Sequence, residues 1–140
     1  MPHSGTDWIR RLPARLASVA RLGSQLRWRT RFAPAPTGYL HLGHLVNAVC
    51  VWGVARAHGG EVLLRIEDHD RTRCRPEFEA ALLDDLEWLG FVPDVHPVSS
   101  FRQAPGGSAT PHPARQSDQE LRHVAALEPL AQRGLVYPCA

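Results

Sequence analysis

Arg31-Phe32-Ala33-Pro34-Ala35-Pro36-Thr37-Gly38-Tyr39-Leu40-His41-Leu42-Gly43-His44 joins two unlike textures, and the rest of the chain can be read outward from it. Upstream, Thr30-Arg31-Phe32-Ala33 has the character of a short strand. The turn-rich Pro34–Gly38 run stops it. Downstream, Leu45, Ala48, Val51, Trp52 and Ala55 share one side of a helix expected from near Leu42 to His58, and Gly59-Gly60 ends it. Glu61 to Glu67 then reads as a second strand, apolar enough to be mostly buried. After the polar loop 68–75, a helix opens with Pro76 in its first turn and stops at Gly90, with Phe78, Leu82, Leu86 and Leu89 as its stripe. Strand, helix, strand, helix with long crossovers predicts parallel pairing, so the fold class is α/β, the amino-terminal half of a doubly wound sheet. Ligands of such sheets sit beyond the carboxyl ends of the strands. The loops 34–44 and 68–75 are therefore the places to look for chemistry.

Farther out the signals weaken. Residues 94–116 are rich in proline, glycine and serine and predict an irregular surface insertion. Ser117-Asp118-Gln119-Glu120 reads as a capping box before a last helix. Leu121, Val124, Leu127 and Leu130 give that helix an apolar face, Pro129 should kink it, and Leu135-Val136-Tyr137 suits the start of another strand. At the other end, residues 1–28 place Ile9, Leu12, Leu16, Val19, Leu22 and Leu26 three and four apart, the spacing of an amphipathic helix. A targeting leader, a nucleic-acid arm and a solvated surface extension all fit it.

The 140 residues suffice for one core, and 44% hydrophobic with 21% charged residues is ordinary for a soluble domain. No run approaches the roughly 20 apolar residues of a membrane span. Three scattered cysteines do not make a disulfide scaffold and suit a reducing, cytoplasmic setting. The net charge of +2 conceals a division: seven Arg and one acid over 1–31 give +6, and the remainder carries −4. All sixteen basic residues are Arg, so chemistry that needs a lysine must draw it from elsewhere.

Within the first loop, His41 and His44 stand three apart in the first turn of a helix, where free amides and the helix dipole favour an anion. Two imidazoles there can donate hydrogen bonds to phosphoryl oxygens. Gly43 removes a side chain and lets a flat ring approach the backbone. The glycine spacing is not that of a Walker loop. A zinc hydrolase built on the same pair lacks a third ligand.

The quoted stretch resembles the signature of class I glutamyl- and glutaminyl-tRNA synthetases and of their small relative, the glutamyl-queuosine tRNA(Asp) synthetases. The resemblance continues through Leu64-Arg65-Ile66-Glu67-Asp68-His69-Asp70, Arg115-Gln116-Ser117-Asp118 and Gly134-Leu135-Val136-Tyr137-Pro138-Cys139. It implies that His41 and His44 bind ATP phosphates and stabilise the transition state of adenylate formation. Thr37, Gly38 and Gly43 would surround the nucleotide. Arg31 would receive the side-chain carboxylate of glutamate, Glu67 its α-ammonium, and backbone at Ala33 and Ala35 would add contacts. A fork-shaped guanidinium suits a carboxylate. Magnesium would arrive with ATP, and Asp68 and Asp70 stand close enough in sequence to influence it, although a solvated acidic loop is the better account of them. Cys139 matches the first member of a zinc-binding Cys-x-Cys pair in the queuosine branch.

Two departures qualify the resemblance. Ala35 replaces the Ser usual in the glutamyl branch and the Glu usual in the glutaminyl branch, which removes a hydroxyl contact and argues against glutamine. The lysine-bearing loop that closes over ATP in the family is missing from these 140 residues. The resemblance thus implies glutamate activation and transfer to tRNA, with a second chain or a carboxy-terminal half completing the sheet. The alternative is an inactive remnant that holds nucleotide or glutamate.

Overall fold

The computed structural model describes residues 28–138; the leader over 1–27 and Cys139 lie outside the described residues. Strand β1 (Arg29–Phe32) pairs in parallel with β2 (Glu61–Leu64), Arg29 opposite Glu61 and Phe32 opposite Leu64. Helix α1 (Leu42–Ala57) is the crossover between them. Period-two alternation places Thr30, Phe32, Val62 and Leu64 on one face, and α1 covers it with Ala48, Trp52 and Ala55. The Phe32 and Trp52 rings meet edge to face at 5.4 Å. Full burial of side chains such as Phe32 and Leu64 contributes roughly 1.5–3 kcal/mol each. The opposite face carries Arg29, Arg31, Glu61 and Leu63. It is open, with Arg29 bridged to Glu61 at 2.8 Å.

The two helices that end before residue 91 do so as their glycines predict. Gly59 and Gly90 take left-handed φ values of 66° and 76°, and the amides that follow, Gly60 and Phe91, return to the carbonyls of Ala55 and Leu86. Helix α2 (Pro76–Trp88) begins on Pro76 and buries Leu82, Leu83 and Leu86 against the same core. Trp28, the last residue of the expected leader, packs with the body: its indole donates to His58 O at 3.0 Å. The ring fills the space where a Cβ on Gly60 would sit, 2.6 Å away.

The expectation of an irregular surface insertion over 94–116 is corrected. Helix α3 (Val98–Gln103) lies inside it, and Val98, Phe101, His112, Ala114 and Arg115 are buried. Val95 and Arg115 form parallel bridges to Leu63 and Ile66, so the segment lies along the free edge of β2. Its prolines break periodicity without preventing burial, because bridges spaced this widely need few amides.

The carboxyl end also differs. Ser117–Gln119 forms a 3₁₀ turn and α4 (Glu120–Gln132) follows it without a side-chain cap. The Ser117 amide, which a capping box would give to Glu120, donates to Asp68 instead, as does the Ser117 hydroxyl. The face of α4 is exposed, Leu121 at 86% and Val124 at 58%, and residues 135–137 form no strand. Among the described residues the sheet has two strands, and β1 has no partner on its outer edge.

Candidate functional site

The loop after β1 continues the ladder beyond the strand itself. Phe32 O, Pro34 O and Pro36 O accept from the amides of Arg65, Glu67 and Arg75 at 3.0–3.1 Å. Both prolines lack an N–H and serve only as acceptors. Ala33 and Ala35, alternating with these residues, direct their backbone toward the open edge of β1. Thr37 N closes a turn onto Ala35 O at 2.9 Å. A Cβ on Gly38 would meet nothing within 4 Å.

His41 is the N-cap of α1. Its Nδ1 accepts the Gly43 N–H at 3.1 Å, and the His44 Nδ1 accepts the His41 N–H at 3.3 Å. Each imidazole thus satisfies one orphan amide of the helix start. A ring nitrogen that accepts an N–H bears no proton, so these two bonds assign both neutral rings the Nε2–H form. The ring centroids are 4.0 Å apart. Burial, then the neighbouring charge of His41, holds the His44 pKa below its ordinary value, which favours the neutral donor form. Gly43 has a steric reason: a Cβ there would lie 2.9 Å from His41 Cε1. The flat ring that approaches this backbone is the His41 imidazole itself.

Arg31 and Glu67 lie on the open face of the sheet. Arg31 is exposed, with no ion pair or hydrogen bond from its side chain among the described residues. Glu67 sits 3.5 Å from Arg65. Arg31 stands opposite Leu63 and Glu67 is four residues beyond Leu63, so the two positions are about 13 Å apart along the strand direction at ~3.3 Å per residue. The histidines head a helix whose body packs on the other face. Arg31 and the histidines therefore do not share one enclosed pocket: the two halves of the expected site flank the carboxyl edge of β1, joined by loop 33–40.

Two cavities flank these groups. The smaller, about 250 Å³, is an apolar groove between α1 and α2 lined by His41, His44, Leu42, Leu45, Trp88 and Leu89. The larger, about 580 Å³, contains none of Arg31, Glu67, His41 or His44. Asp68, Arg75, Glu79 and Ser117 line it.

Asp68 and Asp70 are already engaged. Asp68 takes both donors of Ser117. Asp70 accepts from the Thr72 hydroxyl at 2.6 Å and from Arg73, which together lower its pKa to about 2. Among the described residues no group of three His, Cys, Asp or Glu side chains is placed to hold a metal, and Cys139 lies outside them. Nor is any described helix long and apolar enough to cross a membrane.

Sequence reasoning assigned no role to Arg115. It is wholly buried, bonded to Glu79 and Ala104 O, with Asp118 at 3.5 Å and Asp68 at 3.9 Å. It ties α2, the strand-end loop and the 94–118 segment together. The Arg115-Gln116-Ser117-Asp118 stretch was the available signal, but burial of a lone Arg has no periodicity to announce it.

Comparison with known proteins adds the rest. The family described as tRNA synthetases class I (E and Q), catalytic domain, matches residues 27–140. The glutamyl-Q tRNA(Asp) synthetase of Rhodobacter capsulatus is 52% identical over 110 residues, 79% of this chain and 34% of that protein. Glutamate–tRNA ligase 1 of Granulibacter bethesdensis is 44% identical over 117 residues, 84% of this chain and 21% of that one. A crystal structure of a glutamate tRNA ligase from Elizabethkingia meningosepticum in complex with its amino acid superposes with a TM-score of 0.61 at 36% identity, covering 76% of this chain and 20% of that one. The chain thus spans between a fifth and about a third of the length of these relatives. On a match that takes in β1, the histidine-capped helix and everything after them, the chain belongs to the class I tRNA synthetases (E and Q) and carries part of their catalytic domain.

Proposed function

We propose that this chain supplies the amino-terminal, adenylate-forming part of a glutamate-specific class I tRNA synthetase. In the reaction, the glutamate α-carboxylate attacks the α-phosphorus of ATP, pyrophosphate leaves, and the glutamyl group then passes from the adenylate to a hydroxyl of tRNA as AMP leaves. That hydroxyl lies on the tRNA terminus or on a queuosine base. The observation that carries this reading is the reciprocal cap: both Nδ1 atoms are committed to backbone amides, leaving two neutral Nε2–H donors at a helix N-terminus for the phosphates.

On the open face, the Arg31 guanidinium would take the side-chain carboxylate and Glu67 the α-ammonium, from strand positions about 13 Å apart with space between for a small dipolar amino acid. The ammonium must compete with Arg65, which is near Glu67. Thr37, Gly38 and Gly43 would border the nucleotide, and Ala33 and Ala35 would offer backbone groups. Magnesium would enter with ATP. Zinc through Cys139 needs ligands beyond it.

A second reading is favoured by the open sheet face, the unpaired edge of β1 and the lack of any lysine: a remnant that binds nucleotide or glutamate without turnover. Glutamate-dependent exchange of labelled pyrophosphate into ATP separates the two. The 140-residue chain alone is expected to be inactive, and a chain extended by the remainder of a relative's catalytic domain is expected to be active. Inactivity of the extended, folded chain would refute the synthetase reading; robust exchange by the chain alone would refute the need for the missing part.

A further inference from the structure

The buried imidazole of His112 is used by nothing in the proposed reaction, yet every hydrogen bond around it has a fixed direction. The Ala114 N–H donates to Nδ1 at 3.1 Å. The Ser100 hydroxyl lies 3.0 Å from Nε2 and 2.7 Å from Pro97 O, to which it donates. With Nδ1 an acceptor, the ring proton resides on Nε2 and is given to Ser100. The relay therefore runs Ala114 to His112 to Ser100 to Pro97. Ser100 is not a nucleophile activated by this histidine, because the nitrogen facing it has no free lone pair.

The same wiring forbids the charged form. A second proton would have to go onto Nδ1, where it would oppose the Ala114 N–H, donor against donor. The surroundings offer little compensation. From the 94–97 loop, His96 stacks edge to face on the ring at 5.3 Å, holding a left-handed φ of 58° that few non-glycine residues adopt. From α3, the neutral Phe101 ring lies 4.0 Å away. The Arg115 guanidinium lies over the Phe101 ring, 5.6 Å from its centroid, and Asp118, from the 3₁₀ turn, is the one anion in the group, engaged by the His112 amide and by Arg115. Burial first, then His96 and Arg115, lower the His112 pKa against the opposing pull of Asp118.

We propose that neutral His112 is an acid-sensitive latch that holds the 94–118 segment along the edge of β2. Protonation breaks the Ala114 bond, turns the ring against His96 and Arg115, and loosens the segment. Ser117 at its end holds Asp68, so release reaches the strand-end loop and the large cavity that Asp68 lines.

Amide exchange of Ala114 reads the latch directly in the whole 140-residue chain. The expected result is a protection factor, corrected for intrinsic exchange, that falls at least about tenfold between pH 7 and pH 5. In His112→Asn, whose carbonyl can still accept from Ala114 but cannot gain a charge, it should fall several-fold less, by the part that His44 and His96 still contribute. Protection that is constant in the wild type, or that falls equally in the Asn variant, overturns the proposal. The wild-type imidazole ¹⁵N spectrum provides a test that needs no variant to fold. Nδ1 should be unprotonated at pH 7, and the loss of Ala114 protection should coincide with its protonation. A protonated Nδ1 at pH 7, or a loss confined to below about pH 4.5 where carboxylates titrate, overturns it equally.

Discussion

The ring of His41 occupies the space that any side chain on Gly43 would need: a Cβ there would stand 2.9 Å from Cε1 and 3.1 Å from Nδ1. The glycine and the N-cap are thus one device. Gly43→Ala is expected to push the His41 ring off the Gly43 amide and to destabilise the chain by about 0.5–2 kcal/mol, the range for loss of a helix cap, despite alanine's higher helix propensity. Chemical denaturation measures the loss, and the ¹⁵N shift of His41 Nδ1 reports whether the ring has moved. An unchanged ring with equal or higher stability would contradict the steric account.

The cap should also titrate. His44 accepts through Nδ1 and its pKa is lowered, by burial before the charge of His41. The unfolded chain therefore takes up this proton at a higher pH than the folded one. The stability it contributes is complete above the unfolded value near 6.5 and is lost as pH falls through the lower folded value. In His44→Asn, which keeps an acceptor, stability between pH 7.5 and pH 5 should fall less steeply than in the wild type. Because His112 contributes a loss of the same sign, the expected outcome is a reduced slope, not a flat one.

Arg115 and Arg102 separate buried from exposed charge. Arg115→Met leaves Glu79 and Asp118 near the interior without their guanidinium, and a cost of about 3–5 kcal/mol is expected. Arg102 bridges Asp84 at 2.6 Å and Glu87 at 2.9 Å in partly solvated surroundings. Arg102→Ala should cost at most about 1 kcal/mol, and less in 1 M salt. Equal losses in urea denaturation would refute the distinction.

What the sequence revealed and concealed follows from range. Both strands, α1 and α2 were legible because their signals are local: Pro76 opens a helix, Gly59 and Gly90 close two, and Phe32, Val62 and Leu64 alternate. The 94–118 segment was not, because Phe101 and Arg115 are buried by partners far away in sequence, and the prolines around them signal only a loop. The 117–120 capping box failed for the same reason, since Asp68, 49 residues distant, takes both Ser117 donors. At the site, the histidine pair could be placed from spacing alone. That Arg31 and Glu67 face away from it depended on which side of the sheet α1 covers, a tertiary fact that no local pattern carries.

That geometry gives two unlike losses in the extended enzyme of the proposed function. His41 would present an Nε2–H to charge that develops on the phosphoryl group, an interaction strongest in the transition state. His41→Ala should therefore lower kcat by about 10²–10³-fold, as removal of one such donor does. Arg31 lies on the opposite face from the α1 body and would hold the end of glutamate remote from the reacting carboxylate, in ground state and transition state alike. Arg31→Gln should raise the glutamate KM with little change in the KM for ATP, whereas His41→Ala should leave the glutamate KM nearly constant. Pyrophosphate exchange measured against each substrate in turn distinguishes them. If Arg31→Gln lowered kcat with both KM values unchanged, Arg31 would be acting on the reacting centre, and the division of labour across the edge of β1 would be wrong.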